Sequence, residues 1–386
     1  MPDTITGILK GLGRQQFAVR TPDRSYRMEQ HEIMVSPELA RQYNLVEGAA
    51  VTGQVKRTKG KSQLVSIETL GKMAPKAFEK RPRFKDMVAI DPHQRFELGL
   101  CGNESMRIID LIAPIGKGTR QLIVSPPKAG KTVLLEQIAT GIHECSPETR
   151  IIVLLIDERP EEVTQFRRTA TCAEVIASTS DQSVDEHVAL AELMLCHVQN
   201  ELECGRDVVV LIDSLTRIGR AFNNRGHRKG QRRGGTMSGG LESGAMEIPR
   251  RLFGLARSIE NSGSVTIIAT CLINTGSRMD QLIYEEFKGT GNSEVVLDRS
   301  LAEARIFPAI DIPASGTRKE ACLYSPAHNQ GLATLRRVLS NYGPRDAMKS
   351  LFMLLNKYRD NSAFLESMCS GNGRRQGHTN SRGPVR

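Results

Sequence analysis

The sequence predicts an α/β protein, a mainly parallel sheet covered by helices on both faces and preceded by a small β-barrel. Three observations carry that prediction. Five short β-like segments crowd the first 70 residues, apolar strand-like runs alternate with helical patterns from about residue 87 to 365, and one such run enters a Gly-Lys-Thr turn.

In the first region, strands are expected at Thr4 to Leu9, Gln16 to Arg20, Glu32 to Val35, Ala50 to Val55 and Leu64 to Thr69, with a helical turn at Pro37 to Tyr43. OB-type and related small barrels fit this pattern equally. Lys56-Arg57-Thr58-Lys59-Gly60-Lys61 reads as a basic hairpin tip, as compatible with a solvated turn as with an RNA contact. Residues 71–86 are cationic, Pro-interrupted and aperiodic, which marks a linker between a unit at 1–70 and one at 87–365. In the larger unit the expected strands include Gln121 to Val124, Arg150 to Ile156, Asp207 to Ile212 and Ser264 to Ala269. Val184 to Cys204 has apolar residues at helical spacing and is expected to be a core helix. Residues 366–386 are expected to form a disordered basic tail.

The chemistry starts at Ser125-Pro-Pro-Lys-Ala-Gly-Lys-Thr132, between the apolar run Leu122-Ile123-Val124 and the helical start Val133-Leu134-Leu135. A strand, a turn and a helix N-terminus point backbone N–H groups at one place, where polyphosphate charge is favoured. Lys131 can reach the terminal phosphates and Thr132 can ligate Mg²⁺, so this is a nucleoside triphosphate site, although Ser125 replaces the generic first glycine. Asp213 ends an apolar strand and is the candidate for the metal shell; the competing role is to cap the helix that follows. Glu158 ends another strand and is the candidate base for a hydrolytic water, with Asp157, Glu161 and Glu162 as competitors that could be helix-start acids. From Arg217 to Arg233 there are seven Lys or Arg and no carboxylate, followed by Gly234 to Gly240. Neither helix nor strand is expected there. A flexible cationic loop beside a nucleotide site can grip a phosphate backbone, and a mobile solvated loop is an equal alternative.

The formal charge of +10 and pI near 9.3 favour polyanionic partners, while 4% aromatic content and no Trp limit base-stacking platforms. Eight cysteines without a C-x-x-C pair or matching histidine spacing point to reduced structural thiols. No signal peptide or membrane-spanning stretch is read at the start or elsewhere, so a cytoplasmic protein without membrane contact is expected.

Longer stretches carry a resemblance. Pro-Ile-Gly-Lys-Gly at 114–118, Pro-Pro-Lys-Ala-Gly-Lys-Thr at 126–132, Leu-Leu-Ile-Asp-Glu-Arg-Pro-Glu-Glu-Val-Thr at 154–164, Tyr-Glu-Glu-Phe-Lys-Gly-Thr-Gly-Asn at 284–292, Phe-Pro-Ala-Ile-Asp at 307–311 and Ser-Gly-Thr-Arg-Lys-Glu at 315–320 together closely resemble the bacterial transcription termination factor Rho family. The resemblance runs from about residue 5 to 360. It implies a homohexamer of RecA-like P-loop ATPase cores, each behind an OB-type RNA-binding barrel, that uses ATP and Mg²⁺ to move along single-stranded RNA and dissociate RNA polymerase, with accessory elongation factors as further partners.

By motif, the resemblance implies that Gly116, Lys117, Gly118, Thr119, Arg120 and Gln121, with Lys128, Ala129, Gly130, Lys131, Thr132 and Val133, surround the nucleotide. Phe307 would stack on its base, Arg159 would sense it, Thr132 and Asp213 would serve the metal, and Glu158 would activate the water. Arg318 and Arg305 would reach a neighbouring subunit's nucleotide. For RNA, Thr236, Met237, Ser238, Gly239 and Gly240 match the family's first channel loop, Thr275 to Arg278 its second, and Lys288 an adjoining motif; Phe17, Arg20 and Tyr26 are the barrel candidates. Arg278 stands where familiar members have lysine.

Three departures stand out. The family's N-terminal helical subdomain is expected to be missing, since the barrel-like region begins within a few residues of Met1. Its primary-site Gly-Phe-Gly-Phe aligns with Gln15-Gln16-Phe17-Ala18, leaving one aromatic displaced by a residue, which in a strand changes the face. The family's loop lysine aligns with Gly235, behind the cationic 225–233 run. Two other readings compete. A rotary or secretion ATPase shares the barrel and core, and a non-hydrolysing RNA-binding assembly is conceivable, but Lys131, Thr132, Glu158, Asp213 and Arg318 are all present.

Overall fold

A computed structural model describes residues 3–13, 15–58, 60–228, 240–242 and 244–370, with the side chains of residues 227, 228 and 370 outside the description. The N-terminal strands are β1 (Asp3–Gly13), β2 (Gln16–Arg20), β3 (Ile33–Val35), β4 (Ala50–Thr58) and β5 (Lys61–Leu70), with helix α1 (Pro37–Gln42) before β4. They close in the order β1-β2-β3-β5-β4, with β3 and β5 parallel and the other pairs antiparallel. This is the OB-type barrel. Alternation along the strands buries Leu9, Phe17, Val19, Val55 and Leu64 inside it.

The linker is more ordered than its aperiodic sequence suggests. Helix α2 (Pro75–Glu79) starts on a proline and buries Phe78 against the barrel. Arg81 lies over the Phe78 ring at 3.6 Å and donates to Glu203 at 3.0 Å and Asn200 at 3.1 Å, fastening the linker to the core.

The core strands are β6 (Ala89–Ile90), β7 (Arg120–Ser125), β8 (Arg150–Glu158), β9 (Glu174–Thr179), β10 (Asp207–Asp213), β11 (Arg257–Ile259), β12 (Ser264–Leu272), β13 (Ser293–Val296) and β14 (Gly316–Thr317). They form one sheet in the order β14-β13-β7-β12-β10-β8-β9, with β11 paired to β12 and β6 to β11. From β13 to β9 all pairs are parallel, as expected for strands joined by crossover helices. The helices are α3 (Glu104–Ile112), α4 (Lys131–Cys145), α5 (Pro160–Thr169), α6 (Val184–Glu203), α7 (Leu215–Arg228), α8 (Glu247–Phe253), α9 (Arg278–Phe287), α10 (Arg299–Glu303), α11 (Pro326–Leu339), α12 (Pro344–Leu355) and α13 (Asn361–Ser370). One apolar cluster joins one face of the sheet to α3, α4, α5 and the C-terminal helices, and another joins the opposite face to α6, α7, α8 and α9. The architecture is a RecA-like P-loop core behind an OB-type barrel.

Two expectations are corrected. The basic run begins inside helix: α7 buries Leu215, Ile218 and Ala221 on one face and turns its arginines away from the core, so a charged sequence still folds as an amphipathic helix. At the C-terminus, residues 366–370 belong to α13, anchored by buried Phe364 and Leu365 and by a close approach to Gly331 of α11. Residues 371–386 lie outside the described residues. No helix among the described residues is long and apolar enough to cross a membrane, and the eight cysteines are free thiols.

The barrel sits on the core through a dense polar seam. Tyr26 is buried and donates to Glu174 at 2.5 Å, which also accepts from Arg150 at 2.5 Å. Arg150 reaches His197 at 2.9 Å and Glu201 at 3.0 Å, while Asn200 donates to the Glu47 carbonyl at 3.0 Å. Gly48 has φ +82° and lies so close to α6 that a Cβ would fall 2.4 Å from the Cys196 backbone. Only glycine fits there.

Candidate nucleotide and RNA sites

The phosphate loop joins β7 to α4. Gly130 takes φ +86° to start the helix, and a Cβ on it would sit 3.2 Å from the Phe307 ring. The turn therefore favours glycine, and a Cβ there would also press on the aromatic neighbour. Phe307 remains 46% exposed, and it borders a 410 Å³ cavity with Lys128, Ala129, Gly130 and Val133. A flat, half-exposed ring beside a phosphate loop is suited to an adenine face.

Two strand ends converge on the loop. Lys131 donates to both oxygens of the Asp213 carboxylate, and Thr270 on the intervening β12 donates to Asp213 Oδ1 at 2.8 Å. Asp157 has φ +57° at an irregularity in the β8–β9 register, a bulge that re-aims the end of β8. Glu158 is consequently buried near Asp213 and Lys131. Its Oε1 accepts from Arg217 of α7 at 3.0 Å, whereas its Oε2 is buried without a hydrogen-bond partner among the described residues. Burial, then the neighbouring Asp213 carboxylate, push the Glu158 carboxyl up to about 7, against the opposite pull of Lys131 and Arg217. Asp157 is tied to Arg217, and Glu161 and Glu162 occupy the first turn of α5. Arg159 is the exposed N-cap residue of that helix. Among the described residues no group of three or more His, Cys, Asp or Glu could hold a metal ion. A magnesium that comes with a nucleotide needs only one or two protein ligands, since phosphates and water complete its shell.

The residues at 116–121 are elsewhere. Gly116 to Gln121 lead into and begin β7, and the strand's length puts about 17 Å between Arg120 and Ser125 at the other end. Lys117 pairs with Asp207 at 2.6 Å, Thr119 accepts from the Gly116 N–H at 2.9 Å, Gly118 donates to Thr266 at 2.9 Å, and Gln121 is buried and donates to Ser293 at 2.8 Å. They cannot surround the same nucleotide as the phosphate loop within one chain. Arg318 shares this far end. Its N–H donates to the Asn292 carbonyl at 2.7 Å, and Asn292 accepts from the Arg120 N–H at 2.7 Å. Burial, Arg257 and Arg318 together hold the Arg120 guanidinium below its usual pKa, and its Nε is buried without a partner among the described residues. Arg305, by contrast, is exposed two residues before Phe307, on the phosphate-loop side, so the structure separates the two candidate arginines.

Of the RNA candidates, Arg278 opens α9 and Lys288 caps its other end, both exposed; the helix length puts about 15 Å between them. Thr236, Met237, Ser238 and Gly239 lie outside the described residues. Gly240 is described, and its carbonyl accepts from Asn223 of α7 at 3.0 Å, while the Asn223 Oδ1 accepts from the Glu242 N–H at 2.8 Å. Arg220 of the same helix grips Asp280 with two hydrogen bonds, and Thr275 donates to that carboxylate at 2.6 Å. One helix thus touches Glu158 through Arg217 and both candidate RNA loops through Arg220 and Asn223. The sequence does not single these residues out individually; their signal there is Arg217, Arg220, Arg225 and Arg228 recurring at near-helical intervals of three and five residues within the basic run.

The three barrel candidates are corrected. Phe17 is 9% exposed inside the barrel core, the displacement by one residue having turned its ring inward. Tyr26 is in the polar seam, and Arg20 is paired with Glu32 at 2.9 Å. None presents a free surface for RNA. Phe17→Ala should cost the barrel about 3–5 kcal/mol, read as an earlier denaturant transition of the full chain; an unchanged transition would remove Phe17 from the core.

Comparisons with known proteins agree with this geometry. Residues 105–317 match the ATP synthase alpha/beta family, nucleotide-binding domain. The chain is 43% identical over 369 residues to the transcription termination factor Rho of Cereibacter sphaeroides, covering 94% of this chain and 86% of the relative. It is also 43% identical over 371 residues to that of Aquifex aeolicus, covering 94% and 84%. Among solved structures, a prototypical ATPase from the type III secretion system of pathogenic bacteria matches with a TM-score of 0.62 at 24% identity, over 73% of this chain and 86% of that one. That last likeness is one of fold.

Proposed function

The chain belongs to the transcription termination factor Rho family, with the ATP synthase alpha/beta nucleotide-binding domain as its core, and we propose from this that it is an RNA-dependent hexameric ATPase and translocase. It terminates transcription by moving along nascent RNA and dissociating RNA polymerase. The observation that carries the hydrolytic part is the buried, unpartnered Oε2 of Glu158 beside the Lys131–Asp213 pair.

Backbone N–H groups from Lys128 to Thr132 cradle the phosphates, and Lys131 leaves Asp213 for them. Once Lys131 turns to the phosphates, the Asp213 carboxylate is released toward a hydrated divalent ion, and Thr132 with Asp213 would hold Mg²⁺. The ion supplies charge neutralisation for the phosphates. Glu158 Oε2 accepts a proton from a water as the water oxygen bonds the γ-phosphorus; the bond from that phosphorus to the β–γ bridging oxygen breaks, and ADP leaves with the bond pair. Arg217 holds Glu158 in line and is a positioning residue. Phe307 receives the base, and Arg159 senses the nucleotide from the start of α5. Arg318 acts on the nucleotide of an adjoining copy, because its own phosphate loop is at the other end of β7; Arg120 stands beside it at that junction. Arg305 has its place at the base end of its own site.

RNA is held by the 236–240 loop, the Thr275–Arg278 turn and Lys288. Reading through α7 supports coupling: a change at Glu158 is passed by Arg217, Arg220 and Asn223 to both loops. Because the barrel offers no aromatic platform at Phe17, RNA loading rests on cations.

The test is ATP hydrolysis without RNA, with poly(C) and with mixed-sequence RNA, with Lys131→Ala as the control for contaminating activity. Turnover should depend on RNA, respond similarly to both polymers and vanish in the variant. Turnover indifferent to every RNA would sink the translocase reading and favour the secretion-type ATPase that the fold also resembles.

A further inference from the structure

A second cationic surface lies where the linker crosses the core. Arg83, Phe84 and Lys85 of the linker face α6 and the end of α8 across a groove of 770 Å³, closed on the far side by Arg251 and Arg257. Its volume is in the range of about 300–1,000 Å³ that ligand sites occupy. The one carboxylate lining it, Glu203, is already spent. It accepts from Arg81 at 3.0 Å, from the Phe84 N–H at 3.1 Å and from Gln199 at 3.2 Å. Arg83 comes no nearer to it than 4.0 Å. Among the described residues Lys85, Arg251 and Arg257 make no ion pair, and Lys85 and Arg251 are exposed. Arg257 lies over the Phe84 ring at 4.0 Å and donates one Nη2 bond to the Gly254 carbonyl, but its Nε is buried without a partner among the described residues. Three cations without an ion pair, beside Arg83 whose one carboxylate is the already engaged Glu203 at 4.0 Å, ask for an anion.

We propose that this groove binds the phosphate backbone of single-stranded RNA and supplies the loading contact that Phe17, buried in the barrel, does not. The inference rests on the RNA-dependent reading above. Charge favours RNA over an acidic protein segment: cations on the linker that leaves the barrel face cations at the end of α8 across the groove, and charge on both walls suits a phosphate backbone running between them. The ring of Phe84 is covered by Arg257, leaving no aromatic face for bases. Contact is therefore with phosphates, indifferent to sequence and steeply dependent on salt.

The experiment measures binding of a fluorescent mixed-sequence single-stranded RNA to the full chain across a potassium chloride series. Lys85→Glu with Arg251→Glu should weaken binding by about tenfold or more near 0.15 M salt and reduce the slope of log K against log salt by about 1.4, the share of two phosphate contacts. Lys85→Arg with Arg251→Lys should keep both values, which separates lost charge from local damage. An unchanged slope in the double glutamate variant, with the wild type binding RNA normally, overturns the groove and leaves the family reading intact. Unchanged RNA binding together with lost binding of poly-glutamate gives the groove to an acidic protein and also overturns it. A wild-type chain that binds RNA at no salt concentration overturns the RNA-dependent reading itself, and the groove with it.

Discussion

Arg318→Ala should lower ATP turnover by about 10³–10⁵-fold, the range for an arginine that stabilises charge developing on a transferring phosphoryl group, while nucleotide still binds at the phosphate loop. The expectation follows from distance. Arg318 is held by Asn292 at the entry to β7, and Lys131 begins the helix beyond its exit. Within one chain the arginine cannot act on its own nucleotide, so the loss must be a loss between copies. Mixing Arg318→Ala chains with Glu158→Gln chains should therefore restore part of the activity, since some junctions then pair an intact arginine with an intact glutamate. Steady-state turnover of the mixture decides it. A mixture no more active than either variant alone would show that both residues serve one site in one chain.

Glu158→Gln should reduce turnover by about 10²–10⁴-fold, the usual share of a positioned general base, with nucleotide affinity retained. Glutamine can still accept from Arg217, so the geometry survives and only the proton acceptor is lost. In the unaltered protein, turnover should rise as pH passes through about 7, because the carboxyl must be ionised to take the proton and burial beside Asp213 delays that ionisation. Stability should move the opposite way. The folded-state pKa lies above the ordinary value of 4.5, so the native state holds a proton that the unfolded chain has released. That stabilisation is fully present below the unfolded value and is lost as pH rises through about 7. Denaturation midpoints at pH 5.5 and pH 8 should differ by less in Glu158→Gln than in the wild type. An equal difference in both would assign the ionisation to another group.

What the sequence made legible was local. A strand, a turn and a helix start within ten residues define the phosphate loop, and Asp213 and Glu158 are recognisable because each ends an apolar run. Which carboxylate of the Asp157–Glu162 stretch matters depends on a bulge at Asp157, a matter of two strands in register that no single run reveals. Gly116 to Gln121 sit close to the phosphate loop in sequence, yet the extended strand between them separates them in space. Phe17, Arg20 and Tyr26 were misread for one common reason: aromatic and cationic side chains suit RNA only if they face outward, and facing is decided by the closed barrel and by what docks on it. Arg217, Arg220 and Asn223 were hidden in a run whose charge suggested a loop, although its buried positions follow a helical rhythm.

The seam beneath the barrel constrains how this molecule can come apart. Tyr26, Glu174, Arg150, His197 and Glu201 share hydrogen bonds across it, and Gly48 leaves no gap against α6. Loosening the barrel would part the Tyr26 hydroxyl from Glu174, the Gly48 carbonyl from His197 and the Glu47 carbonyl from Asn200, a cost that falls on both sides at once. The barrel and the ATPase core should therefore melt as a single cooperative unit, and a protease or a truncation that removes one should leave the other wounded rather than free.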